Sequence, residues 1–84
     1  MLDGNAIAGT LEHIFGNDMT RATATCAGCD ATGPLAETAV YLRAPGVVVR
    51  CRHCEAVLAV VVERRSRYCV DFRGVSALRT SPSP

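Results

Sequence analysis

Eighty-four residues are enough for one small domain, and its core is marginal unless something staples it. Hydrophobic residues make up 49% of the chain and charged residues 20%, which excludes a disordered polar polymer. A formal net charge of +1 argues against a strongly basic nucleic-acid binder.

The apolar content is mostly Ala, Val and Leu, since there are two Tyr, two Phe and no Trp. Small side chains each bury little area, so such a core gains from a cross-link. Every basic side chain is Arg, which reads as GC-rich codon usage rather than selection for anion binding.

The opening Met1-Leu2-Asp3-Gly4-Asn5 lacks the basic and apolar regions of a signal peptide, so a cytoplasmic setting is expected. From Asp3 to Phe15, Ile7, Leu11, Ile14 and Phe15 recur with helical spacing and form a stripe directed at a core. Asp3 or Asn5 is placed to cap this helix, and Gly16-Asn17 to stop it. His13 lies off the stripe and is expected in solvent. Thr20 to Thr25 then has strand texture and leads into Cys26-Ala27-Gly28-Cys29.

Asp30 to Pro34 breaks regular structure. Leu35 to Arg43 reads as a strand, Ala44-Pro45-Gly46 as a turn, and Val47 to Arg50 as the returning strand of a hairpin. Cys51-Arg52-His53-Cys54 follows. Ala56 to Arg64 is apolar at odd and even positions alike, as in a strand covered on both faces. No apolar run approaches the length of about 20 residues that crosses a bilayer, so no membrane partner is expected.

A short loop at Arg65-Ser66 joins this strand to Arg67–Arg73, where Tyr68, Val70 and Phe72 alternate with Arg67, Cys69, Asp71 and Arg73. Cys69 is expected as a small buried-edge residue; an Arg-activated thiol is the alternative. Gly74 ends the strand. Residues 1–78 are read as one domain and 79–84 as a flexible tail.

The four paired cysteines follow the pattern Cys-x2-Cys-x21-Cys-x2-Cys. A structural Zn²⁺ takes four thiolates in a tetrahedron. Two intervening residues let one turn present both sulfurs, and a hairpin between the pairs brings the two turns together. Cys26, Cys29, Cys51 and Cys54 are therefore the expected ligands of one structural zinc ion. His53 sits inside the second turn and is expected to face solvent.

A redox dithiol fits less well. It needs one pair at the start of a helix, whereas here two pairs lead into a breaker segment and a Val-rich strand. A single iron in the four-cysteine site remains the alternative metal, as in rubredoxins, which surround it with more aromatic residues.

Two cysteine knuckles carried on strands resemble a zinc ribbon. More closely, the runs LDGNAIAGTLEHIFG, TATCAGC, AVYLRAPGVVVRC and YCVDFRG resemble a family of small actinobacterial proteins of unknown function. The resemblance reaches to about Gly74. It implies a small α+β fold with an N-terminal helix packed on an antiparallel zinc-ribbon β-sheet, and it implies the same four ligands. It brings no substrate. Zinc knuckles favour Gly just after the second Cys, where the backbone turns left-handed. Asp30 and Glu55 occupy those positions, and because Glu tolerates that conformation less well than Asp, a different path is expected for the second knuckle.

Four cysteines close the zinc coordination shell, and no catalytic constellation or phosphate loop accompanies them, so no enzyme is expected. A binding module for an unknown protein is the leading expectation. An iron-carrying electron carrier and a nucleic-acid-binding ribbon are the alternatives. Residues 1–42 carry Arg21 against five carboxylates, a balance of −4; residues 43–84 carry eight Arg against three carboxylates, a balance of +5. Arg50, Arg52, Arg64, Arg65 and Arg67 are expected to form a basic rim from the metal site to the hairpin end. Scarce aromatics disfavour nucleic acid as its partner.

Overall fold

A computed structural model describes residues 2–43 and 46–80. Ala44 and Pro45 of the expected turn, and residues 81–84 of the expected tail, lie outside the described residues.

Strand β1 (Leu2–Asp3) leads into a tight 3-10 turn at Gly4–Ile7, which continues as helix α1 (Ala8–Phe15). Of the two candidate caps, Asp3 serves: its carboxylate accepts the Asn5 N–H at 3.0 Å. Gly16 ends the helix at φ 82°, a left-handed value that suits glycine, and its N–H donates to the Glu12 carbonyl at 2.7 Å. Ile7 and Leu11 are buried, Ile14 is half-buried and His13 is exposed, as the stripe requires, but Phe15, read as part of the stripe, is 36% exposed. Phe15, at the helix end, stands 5.8 Å from the Phe72 ring, centroid to centroid.

The remaining strands are β2 (Thr23–Cys26), β3 (Thr32–Pro34), β4 (Ala39–Arg43), β5 (Gly46–Arg50), β6 (Val57–Arg64), β7 (Arg67–Asp71) and β8 (Val75–Arg79). They form two antiparallel sheets, a five-stranded one in the order β1-β4-β5-β6-β7 and a three-stranded one in the order β3-β2-β8. The fold is the expected small α+β class with its helix at the N-terminus. One core joins all three layers: Ile7 of the 3-10 turn and Leu11 of α1 meet Ala24 of one sheet and Val40, Val49 and Leu58 of the other.

Local chemistry explains where the elements depart from expectation. The strand foreseen from Thr20 starts at Thr23, because the Asp18 carboxylate accepts both the N–H and the hydroxyl of Thr20, at 2.9 and 2.7 Å, and holds a turn there. Leu35–Glu37 is a 3-10 turn rather than the start of a strand, and the Thr38 hydroxyl donates back to the Leu35 carbonyl at 2.7 Å. This turn carries the chain from the small sheet to the large one.

Strand β6 is not covered on both faces. Leu58, Ala59 and Val61 are buried, whereas Val57 is 39% exposed and Val60 and Val62 are half-buried. A bulge opposite Val49/Arg50 turns both Leu58 and Ala59 toward the core, so β6 is apolar at consecutive positions with only one face sealed. The expectation that Asp30 to Pro34 breaks regular structure is corrected at its second half, where Thr32–Pro34 forms β3 by pairing with Thr23–Thr25. Strand β8 likewise has no counterpart in the sequence reading. It pairs with β2 and brings Arg79, foreseen in the tail, opposite Thr23.

Candidate metal centre

Each cysteine pair lies in a tight turn that leaves a strand. The first turn follows β2 in the small sheet, and the second links β5 to β6 in the large one. Their backbones repeat bond for bond. Cys26 N–H donates to the Ala31 carbonyl at 2.9 Å, and Cys51 N–H donates to the Ala56 carbonyl at 2.9 Å. Asp30 N–H reaches the Cys26 carbonyl at 2.9 Å, and Glu55 N–H reaches the Cys51 carbonyl at 3.0 Å. Within each turn a backbone N–H points at the leading sulfur, Gly28 to Cys26 Sγ at 3.3 Å and His53 to Cys51 Sγ at 3.4 Å.

Asp30 has φ 62° and Glu55 φ 64°, so both close their knuckles in the left-handed region. The different path expected for the second knuckle is therefore corrected. The closing bond to the first cysteine carbonyl fixes this geometry, and Glu adopts it despite its poorer tolerance.

The two knuckles face each other across the sheet boundary and bring together the four Sγ atoms of Cys26, Cys29, Cys51 and Cys54, all within 4.8 Å of one another. Cys26 and Cys54 sulfurs are 3.6 Å apart, and those of Cys29 and Cys51 are 3.7 Å apart. A disulfide requires about 2.0 Å. A tetrahedron of thiolates at about 2.3 Å from a metal has edges of about 3.8 Å. The donor set fits a tetrahedral metal ion.

Electrostatics point the same way. Cys51 is drawn down to about 6, first by a backbone hydrogen bond from Cys54 and then by one from His53. Cys29 moves the other way, up to about 12. The Ala31 amide pulls it down, but desolvation and the three other cysteines outweigh that pull. Four crowded thiols resist ionising together, and a bound cation removes that conflict.

The chain belongs to a family of unknown function (DUF6510), whose family model matches residues 1–83. No curated protein and no solved structure matches the chain. Membership extends the resemblance over residues 1–83, past Gly74 where the quoted runs end, and it assigns the family no chemistry.

Other residues singled out in the sequence sort clearly by position. The His53 side chain is exposed, as expected, and stands outside the sulfur cluster. Cys69 is also outside it, but it is exposed rather than a buried-edge residue. It pairs with Val62 on the sheet face that lies outside the core, which leaves its thiol in the open.

The expected continuous basic rim is also corrected. Arg64 and Arg67 are cross-strand partners beside Arg65, at the end of β6 away from the second knuckle, with about 20 Å of strand between. Arg50 and Arg52 stay at the metal end, where they donate to backbone carbonyls of Glu55 and Glu37.

Sequence reasoning missed Gly74. Its N–H donates to Leu58 in the large sheet at 3.1 Å, and its carbonyl accepts from Ala27 in the first knuckle at 2.8 Å. It ties one sheet to the knuckle of the other. A glycine directly after a strand was the available signal, and it reads equally well as a simple stop.

Proposed function

We propose that this chain is a zinc-ribbon module, built around one structural Zn²⁺ held by Cys26, Cys29, Cys51 and Cys54, that acts without catalysis by docking on another protein. The observation that carries the reading is the gathering of four sulfurs at tetrahedral spacing by two matching knuckles from separate sheets. Four thiolates fill the coordination shell of zinc and leave no position for substrate or water. The ion then serves as a staple that joins the two sheets.

A non-catalytic role draws support from the surroundings. An open cleft reaches Cys26 and Cys51 of the cluster past Thr32, Glu37, Arg52 and His53, with a volume of about 200 Å³. Small-molecule sites commonly run from about 300 Å³ upward. Four cysteines held as metal thiolates and a fifth, Cys69, exposed as a thiol suit a reducing compartment such as the cytoplasm. Among the described residues no helix is long and apolar enough to cross a membrane.

The test is elemental analysis of protein purified without added metal. One zinc per chain and a colourless solution are the expected result. A red protein with one iron would replace this reading with the electron carrier, and a chain folded without stoichiometric metal would remove both.

A further inference from the structure

The outer face of the five-stranded sheet is built from alternate residues of four strands. In register, Tyr41 of β4 lies beside Val48 of β5, and Val48 beside Val60 of β6. Val62 sits one step along, between Gly46 of β5 and Cys69 of β7. The opposite face carries Val40, Val49 and Val61, which are buried. Val48, Val60 and Val62 belong to no part of the core cluster formed by the described residues. The result is a strip of half-buried valines outside the core, on the sheet face opposite it.

Charge frames the strip unequally: arginines outnumber the carboxylates, which are Asp3 beside Ala39 at the β1 edge, Asp71 and Glu55. Alternation places Arg43, Arg50, Arg64 and Arg67 on the same face. Asp71 shares it but is ion-paired with Arg73 at 2.7 Å. Glu55 lies at the margin near Arg50. Positive charge is left in surplus.

The arginine end also breaks local rules. Arg64 is directly opposite Arg67, and facing like charges destabilise a sheet. Arg65 and Ser66 hold φ values of 45° and 70° in a two-residue turn that favours Asn-Gly. Local conflicts of this kind concentrate where a surface is used.

We propose that this face is the docking surface of the module and that its occupant is a short acidic segment of a partner protein, with apolar side chains on the valine strip and carboxylates on the arginines. The proposal rests on the interaction-module reading above and names the chemistry of the partner.

Two other occupants fit less well. Single-stranded nucleic acid stacks on aromatic platforms, and Tyr41, the aromatic residue of this face, has the Arg50 guanidinium 6.0 Å over its ring. A duplex needs many phosphate contacts, more than the few arginines here supply. A second copy meeting face to face would oppose two positive rims. The strip also spans on the order of 300 Å² from strand spacings, well short of the roughly 800 Å² per partner in a standard interface.

The test uses the full metal-loaded chain and a fluorescein-labelled peptide of alternating glutamate and valine. A lysine–valine peptide, a single-stranded DNA and a duplex serve as rivals. The expected result is saturable binding of the acidic peptide that weakens with salt, with amide shifts centred on Val48, Val60, Val62 and Cys69. Replacing Arg64, Arg65 and Arg67 by Ala should weaken it about tenfold, as three rim charges of surface strength would. Val60→Glu should abolish it while the metal content stays at one ion per chain.

No binding, shifts elsewhere, equal binding of the lysine peptide, tighter binding of either DNA, or self-association through this face would each overturn the proposal. Metal analysis of the same sample separates the two readings. Failure with zinc in place removes this surface alone, whereas iron or missing metal removes the zinc module whatever the peptide does.

Discussion

At Glu55 the backbone is left-handed, with φ 64°, because the second knuckle must return its N–H to the Cys51 carbonyl. That conformation presses Cβ toward the following carbonyl oxygen and costs a non-glycine residue about 1 kcal/mol. Glu55→Gly is therefore expected to raise stability by up to about 1 kcal/mol, less the added freedom of the unfolded chain. Glu55→Val is expected to lower it. Denaturant melts of the metal-loaded variants check the order, and a stabilised valine variant would show that the left-handed geometry is misassigned.

Cys69 supplies a second residue-scale prediction. It is exposed and apart from the sulfur cluster, so a maleimide should modify one thiol per chain in the loaded protein and five after chelation under denaturant. Cys69→Ala should bind metal in full. Loss of stoichiometric metal from that variant would count against the four ligands.

Between elements, Gly74 is the joint. A Cβ there would run into the Val57 carbonyl and the Leu58 Cα, both backbone atoms that cannot swing aside. Gly74→Ala should cost about 1–3 kcal/mol, the range for forced overpacking, with the loss felt by both sheets at once. Thermal melts followed at a small-sheet and a large-sheet amide are the check; an unchanged melting temperature would refute the close approach.

This joint also shows where the sequence stops being legible. The helix, the β4–β5 and β6–β7 hairpins and the gathering of four cysteines each follow from a local pattern: a recurring apolar stripe, alternation around a turn, or a cysteine spacing. The division into two sheets follows from no local pattern. It depends on Gly74 passing between strands and on the turn at Leu35–Glu37 changing sheets, and both are long-range packing events. For the same reason β8 went unforeseen, since Val75–Arg79 becomes a strand by pairing with Thr23–Cys26 about 50 residues earlier.

For the whole molecule, the proposed zinc site makes metal binding and folding one equilibrium. The core is rich in Ala and Val, and the two knuckles that meet at the cluster belong to separate sheets. Structural zinc contributes about 10–16 kcal/mol in small domains, against a typical net stability of about 5–15 kcal/mol. Chelation, or Cys51→Ser, should therefore collapse the amide dispersion of both sheets rather than loosen the knuckles alone.

Acid should produce the same collapse through the thiols. Without a metal, Cys51 in the fold is lowered from 9.0 to about 6, so its thiolate adds stability above the unfolded value, and that contribution is lost as pH falls through about 6; a bound ion moves this loss to lower pH. Cys29 is raised to about 12 and has the opposite sign, favouring the thiol form until pH climbs through that value. Between these limits the metal-free cluster holds a mixture of thiol and thiolate. Zinc must expel the remaining protons, so its affinity should climb with pH. In acid, zinc release followed with a chromogenic chelator and unfolding followed by circular dichroism should fall on one curve. If zinc leaves while the spectrum stays native, the ion is not the staple of this fold.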